Sequence, residues 1–185
     1  QPKSSAPPPP PPSGSNLVQN GTLESGTNAP TGWTSNWWGN LQAQFVYPAT
    51  GKNNSRGARV FVSNWVSGDA KWVFPHIPAS SNTVYTFTED YSANVVTNIT
   101  VEFKMSDGTY EYRWLANAPA TGNQWGRIEA EVTVPRRAVS FTVMHTMNKN
   151  GSLYIDNASV TELPSQMGLA SVPAAVASAR SLDAC

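Results

Sequence analysis

Apolar and polar side chains alternate residue by residue through the middle of this chain, from Ile99 to Trp114. A period of two places successive side chains on opposite faces of an extended strand. The same alternation recurs in short segments bounded by turn residues, at 83–91, 127–134, 138–146 and 152–161, whereas no window of helical length shows a clean period of 3.6. Many short, regularly spaced strands predict an all-β fold, an antiparallel β-sandwich.

A hairpin is predicted where Asp107-Gly108 separates two alternating segments, because both residues tolerate a positive φ. A two-residue turn places Val101 opposite Trp114 and Glu102 opposite Arg113. The apolar pair predicts that Trp114 is buried. The oppositely charged pair predicts that Glu102 and Arg113 lie on the outer face.

The two ends of the chain differ in composition from its middle. Residues 1–15 contain a run of six prolines and are predicted to be a Pro-rich linker. Residues 164–185 are mostly Ala, Ser, Val and Pro, which predicts a flexible tail or linker. The folded domain is therefore expected at residues 16–163, and Cys185, the single cysteine, excludes an intramolecular disulfide.

The charge pattern argues against ionic partners. Twelve Lys and Arg residues balance twelve Asp and Glu residues, and no basic stripe or polybasic arm is present. We therefore expect no nucleic-acid and no membrane partner. Only 13% of the residues are charged while seven are tryptophan, a composition typical of surfaces that bind neutral ligands.

The two ends of the predicted domain carry family-like strings. It opens with NLVQNGTLE at 16–24, followed by Gly32-Trp33, and closes with GSLYIDNASV at 151–160; GDAKW lies between them at 68–72. These strings resemble the galactose-binding-like jelly rolls of carbohydrate-binding module families 4, 9, 16 and 22, and modules attached to polysaccharide deacetylases. The resemblance covers about residues 16–162.

Several expectations follow from the resemblance. It implies a jelly-roll module, not itself an enzyme, that binds a β-linked glucan, xylan, mannan or chitin. It further implies a secreted, monomeric module fused to a carbohydrate-active catalytic domain, which it targets to its substrate. Trp33, which belongs to the family string, is expected in the core.

A structural Ca²⁺ is also implied by the resemblance. In the resembled modules, an acidic residue that ends the first strand and the Asp of the last strand bind this ion together with backbone carbonyls. The matching residues are Glu24 and Asp156, and the loop 51–57 could supply carbonyls, whereas Asn157 replaces a second Asp of the family pattern. Oxygen ligands of this kind suit Ca²⁺. In the alternative interpretation, both carboxylates only cap strand ends.

Aromatic side chains are the first candidates for contact with sugar, because an open ring stacks on the flat C–H face of a sugar. Two of the candidates are adjacent in a predicted loop at 34–40, one ends a predicted strand, one resembles a family position and one shares a polar strand face. They are Trp37, Trp38, Trp65, Trp72 and Trp125.

Polar side chains with several hydrogen-bonding atoms would complete the site by binding the sugar hydroxyls. The candidates are Glu102, Arg113, Arg127 and Glu129. The alternative is a solvated face held by cross-strand ion pairs.

Two other functions stay open. Glu129 and Glu131 lie two residues apart on one strand face, a spacing compatible with a glycosidase pair, and Tyr112 is a further candidate for a lyase or hydrolase on the same fold. His145 is in phase with apolar residues and is interpreted as a core histidine. A cell-surface adhesion or spacer domain is the remaining alternative.

Overall fold

The computed structural model of the protein describes residues 14–164, which form a β-sandwich and confirm the predicted all-β class. The predicted linker and tail lie outside the described residues, apart from residues 14, 15 and 164. The strands are β1 (Thr34–Trp38), β2 (Gln42–Thr50), β3 (Arg56–Ser63), β4 (Asp69–Val73), β5 (Ile77–Pro78), β6 (Val84–Ala93), β7 (Thr97–Met105), β8 (Tyr110–Ala118), β9 (Gly126–Thr133), β10 (Ala138–Thr146) and β11 (Gly151–Glu162). A 3₁₀ turn spans Lys52–Asn54 between β2 and β3.

The strands form two layers. The back layer is the five-stranded antiparallel sheet β2-β3-β11-β6-β9. The front layer contains the four-stranded sheet β5-β10-β7-β8 and the pair β1-β4. Two hydrogen bonds between Ala70 and Met147, at 3.0 and 2.9 Å, join β4 to the chain that follows β10. The front layer therefore runs β1, β4, β10, β7 and β8, with β5 continuing beside β10.

The core lies between the layers and is filled by alternate residues of both, as the period of two requires. Tyr85 of the back layer packs on Phe141 of the front layer with ring centroids 5.0 Å apart, and Phe103 packs on Phe141 at 6.2 Å. Trp33 is buried as expected, with its Nε1 donating to the Gln19 carbonyl at 3.0 Å.

A polar network also lies in the core. His145 Nδ1 donates to Glu89 Oε2 at 2.6 Å, and His145 Nε2 lies 2.6 Å from Thr97 Oγ1. The Tyr91 ring packs edge-to-face with the His145 ring, and the two ring centroids are 5.1 Å apart. Burial raises the pKa of Glu89, while the hydrogen bond and the charge of His145 act in the opposite direction. His145 is thus a satisfied core histidine, as predicted.

The predicted hairpin forms between β7 and β8, but its predicted register is wrong by one residue. Gly108 N–H donates to the Met105 carbonyl at 3.0 Å, Met105 N–H donates to the Thr109 carbonyl at 2.8 Å, and Gly108 has a φ of 85°. This is a three-residue loop with glycine in the left-handed region, not a two-residue turn. Asp107 secures the loop by accepting from the N–H and hydroxyl of Thr109, and these two bonds are the main cause that lowers the pKa of Asp107.

A shift of one residue turns every side chain of a strand to the other face. Trp114 now lies opposite Thr100 and is exposed, so the expectation that it is buried is wrong. The predicted pairing of Glu102 with Arg113 is also wrong, because Glu102 lies opposite Tyr112.

No helix within residues 14–164 is long and apolar enough to cross a membrane.

Candidate functional site

A groove of about 570 Å³ crosses the outer face of the front layer. Five adjacent strands each contribute the side chains that point away from the core, so the groove runs across the strands. Its floor combines apolar and hydroxyl groups, and an aromatic ring lies at each side. The lining residues are Thr34, Asn36, Trp38, Asp69, Lys71, Val73, Thr100, Glu102, Tyr112, Met144 and Thr146.

Asp69 connects the β1 side of the groove to its floor. One carboxylate oxygen accepts from the Trp38 indole Nε1 at 2.9 Å, and the other accepts from the Lys71 ammonium at 2.5 Å. Lys71 is nearly buried, and Asp69 balances its charge. The indole of Trp38 is therefore held in place while most of it stays exposed.

Glu102 organises the β8 side of the groove. The His76 Nε2 lies 2.7 Å from Glu102 Oε1, and the His76 Nδ1 lies 3.0 Å from the Ser140 hydroxyl. A hydrogen bond to Glu102 raises the pKa of Tyr112 to about 12, with burial as the second cause. Tyr112 therefore lies beside the Glu102 carboxylate, with which it pairs across β7 and β8.

The groove thus offers what a neutral polyhydroxylated ligand needs. Rings at Trp38 and Tyr112 provide flat apolar faces, and Lys71 and Asn36 provide N–H donors between them. Asp69 and Glu102 both accept hydrogen bonds from neighbouring side chains, so both are placed as acceptors.

Of the residues predicted from sequence, Trp38 and Glu102 line the groove. Trp37 is the neighbour of Trp38 in β1, and alternation places it on the opposite face. The segment that contains both was predicted to be a loop, but it pairs with β4 as a strand. Trp65 lies in the segment between β3 and β4, donates its Nε1 to the Gly68 carbonyl at 2.8 Å and does not line the groove.

Trp72 is buried, so the expectation that its ring is open for stacking is wrong. Its Nε1 donates to the Arg59 carbonyl at 3.1 Å, and its ring meets the edge of Phe45 at 5.4 Å. In β4 the residues Asp69 and Lys71 face the groove, so the alternating position of Trp72 faces the core.

Arg113 also lies away from the groove. Because of the register shift, it points to the core side of β8, where it pairs with Glu111 and lies over the Phe103 ring at 5.5 Å. Charged side chains that point inward from an edge strand are a known protection against edge-to-edge association. The expected role of Arg113 in an outer polar rim is therefore wrong.

The structure separates the predicted residues at 125–129 from the groove. Trp125 immediately precedes β9 at the edge of the back layer, and Glu129 points outward from β9. Arg127 donates to Thr88 Oγ1 at 2.8 Å and pairs with Asp90 at 3.3 Å. Alternation identified these residues as one polar face, but this face belongs to the other layer.

Sequence reasoning missed Asp69 and Lys71 of the groove and the exposure of Tyr110 outside it, and assigned Tyr112 only to a catalytic alternative. The GDAKW string contains the first two, in which Asp69 and Lys71 alternate with Ala70 and Trp72 and therefore share the face opposite the tryptophan. The signal for the tyrosines was the glycine at the third position of the loop, which is typical of a three-residue hairpin.

The predicted calcium ligands are both present at one end of the sandwich. Asp156 Oδ2 accepts from the Lys52 N–H at 2.9 Å and from the Ser55 hydroxyl at 2.7 Å, and Glu24 Oε1 accepts from the Arg56 N–H at 3.0 Å. The Ser55 hydroxyl also lies 2.6 Å from the Lys52 carbonyl oxygen. Burial raises the pKa of Asp156, and the charge of Glu24 contributes to the rise.

These residues fit a cation in part. Within residues 14–164 no lysine or arginine side chain forms an ion pair with either Glu24 or Asp156. In the same range no group of three or more His, Cys, Asp and Glu side chains is placed to hold a metal ion. An ion here would therefore take its remaining ligands from backbone carbonyls, as that of Lys52, and from water.

No protein-family model matches the sequence, and no curated protein matches it. Solved structures do match its fold. A C-terminal family 22 carbohydrate-binding module of Clostridium thermocellum Xyn10B is 17% identical with a TM-score of 0.56, covering 82% of this chain and 97% of the module. The CBM22-1 xylan-binding domain of Paenibacillus barcinonensis Xyn10C is 13% identical with a TM-score of 0.57, covering 81% and 96%.

The enzymatically active domain of the tailspike protein 4 of bacteriophage CBA120 also matches, with 16% identity and a TM-score of 0.61. The match covers 80% of this chain but only 21% of the tailspike chain. At these identities the comparisons establish the fold. They confirm the predicted jelly roll of carbohydrate-binding modules, and this chain spans both modules named above almost end to end.

Proposed function

We propose that this chain is a non-catalytic module that binds a neutral polysaccharide chain in the groove of the front layer. The observation that carries the proposal is the pair of rings, Trp38 and Tyr112, on opposite sides of a floor that contains fixed donors and acceptors. A sugar chain that crosses the strands would stack on both rings and hydrogen-bond between them.

The structural neighbours guide the choice of ligand. Because one of them is described as a xylan-binding domain, xylan is the first polysaccharide to test, followed by β-glucan, mannan and chitin. The module would hold an attached carbohydrate-active enzyme on its substrate outside the cell.

Catalysis is the weaker alternative. Glu129 and Glu131, the acid pair considered from the sequence, lie on the exposed face of the back layer, away from the groove. The two carboxylates of the groove are held by Lys71 and His76, an arrangement that suits acceptors better than a proton donor.

The 185-residue chain incubated with insoluble and soluble forms of these polysaccharides tests the proposal. We expect depletion of the protein from solution by at least one polysaccharide, without release of sugar. New reducing ends or unsaturated products would instead show an enzyme. If the protein is not depleted and no products are released, the spacer domain is the remaining interpretation.

We further propose that Glu24 and Asp156 hold a structural Ca²⁺ with carbonyls of the loop 51–57. Binding of the folded state alone stabilises by about 2.7 kcal/mol at a hundredfold excess of ligand over Kd. The melting temperature in 1 mM Ca²⁺ is therefore expected to exceed that in EDTA by roughly 5–10 °C.

Glu24→Gln should remove the difference between the two melting temperatures, because it replaces a proposed carboxylate ligand of the ion. Glu24 is exposed, so the substitution should not disturb the core. Glu129→Gln is the matched control, because Glu129 is an exposed glutamate in β9, at the edge of the back layer. This variant should keep the difference in melting temperature. Equal melting temperatures of the unaltered chain in Ca²⁺ and EDTA would rule out the ion.

A further inference from the structure

Three aromatic rings form a row along β8, and two of them lie outside the groove. Tyr110, Tyr112 and Trp114 occupy alternate positions and point to the groove side of the front layer. Their exposed fractions are 51%, 60% and 62%, and the strand rise spaces them over about 13 Å. We call this row the β8 ridge. Only Tyr112 also lines the groove.

The ridge lies at an open edge. β8 is the last strand of its sheet, so within residues 14–164 no strand is hydrogen-bonded to its outer side. The charged residues of β8, Glu111 and Arg113, pair with each other on the opposite face. No charged side chain of β8 therefore lies between the rings of the ridge. Because no strand of the described part of the chain is paired beyond β8, a flat ligand surface can approach the rings from the edge of the sheet.

Each ring of the ridge is held by a neighbour. Tyr110 contacts the His76 ring edge-on at 6.1 Å, and Trp114 Nε1 donates to Asn117 Oδ1 at 3.2 Å. Tyr112 lies opposite Glu102, whose carboxylate raises the pKa of the phenol. Rings that are already oriented lose little conformational entropy on binding. These exposed rings are not buried in the core. Contiguous exposed apolar surface of this kind typically marks an interaction site.

The groove and the ridge run in different directions. The groove crosses five strands, so a single chain lying in it meets the ridge at Tyr112 alone. The ridge follows β8, so Tyr110 and Trp114 lie to either side of the groove. A flat surface built of parallel glycan chains offers many sugar faces in one plane, and it could contact all three rings at once.

We propose that the β8 ridge binds the face of insoluble, packed polysaccharide, in addition to the single soluble chain that the groove takes. This inference rests on the proposed function, because it assumes that the module recognises neutral glycans. Its occupant is a glycan surface because the rings continue the aromatic side of the groove and no charged residue of β8 lies between them, although Lys104 of β7 lies beside Tyr110. A second copy of the chain, pairing through the open edge of β8, is the competing occupant.

The double variant Tyr110→Ala with Trp114→Ala separates the ridge from the groove, since it leaves Tyr112 in place. We expect partitioning onto insoluble polysaccharide to fall at least tenfold, while calorimetric affinity for soluble oligosaccharides of the same polysaccharide stays within about twofold. Trp114→Leu, which keeps an apolar side chain but lacks a flat ring, should also lower the partitioning onto insoluble polysaccharide. Trp37→Ala, an exposed tryptophan on the other face of β1, is the matched control and should change neither measurement.

Each other outcome overturns a distinct claim. Unchanged partitioning of the double variant, or equal losses on soluble and insoluble ligand, would overturn the ridge and leave the groove. An unaltered chain that binds soluble but not insoluble polysaccharide would do the same. A dimer in sedimentation that the double variant dissociates, with unchanged partitioning, would assign the ridge to self-association. An unaltered chain that binds no glycan at all would remove the proposed function itself.

Discussion

Replacing Trp38 with alanine is expected to lower the affinity for soluble oligosaccharides of the recognised polysaccharide by about 30-fold. This corresponds to ~2 kcal/mol, the loss typical of truncating a central aromatic contact. The indole is 59% exposed at the side of the groove, and Asp69 fixes its orientation at 2.9 Å. Isothermal titration calorimetry with soluble oligosaccharides measures the effect.

Trp37→Ala provides the matched control, because Trp37 is the adjacent tryptophan of the same edge strand and is 53% exposed. It points away from the groove, so its removal should leave affinity unchanged within about twofold. Equal losses in the two variants would indicate a change in β1 rather than loss of a stacking ring. No loss in the Trp38 variant would remove the groove as the binding site.

Replacing His145 with alanine is expected to destabilise the fold by about 3–5 kcal/mol, the usual effect of removing one partner of a buried, hydrogen-bonded pair of ionisable groups. The carboxylate of Glu89 would lose the donor at 2.6 Å, and the hydroxyl of Thr97 would lose its contact at 2.6 Å. For a domain of this size the loss corresponds to a fall in melting temperature of about 6–20 °C. Calorimetry or circular dichroism at neutral pH measures it.

A second histidine–carboxylate pair supplies the control. His76 and Glu102 are separated by 2.7 Å but are partly open to solvent, so His76→Ala should cost no more than about 1 kcal/mol. Glu89→Gln should cost less than His145→Ala, because a buried neutral amide needs no opposite charge. Equal effects of the two histidine variants would show that burial does not govern the Glu89–His145 pair.

Much of the architecture followed from local patterns. Alternation predicted the strands β6, β7, β9, β10 and β11, and the strings at the two ends predicted the jelly roll and the buried Trp33. The core position of His145 followed from its phase with apolar neighbours. These predictions hold because the period of two is a property of the strand itself.

The candidate site was much harder to predict. One additional loop residue, Ser106, exchanged the faces of β8, which brought Tyr112 to the groove and removed Arg113 from it. Trp125, Arg127 and Glu129 formed a polar face as expected, but on the layer opposite the groove. Alternation separates two faces and does not say which layer will cover either one.

The sequence by itself therefore determined that this chain forms short antiparallel strands that pack as a sandwich, because strand alternation and turn residues act between near neighbours. Only the tertiary structure decided that Trp38 and Tyr112 meet across one groove while Trp72 lies beneath it. Which face of a strand is buried depends on the layer packed against it and on the register with its neighbours. Both are set by residues far away in the chain, whose combined burial no local pattern reports.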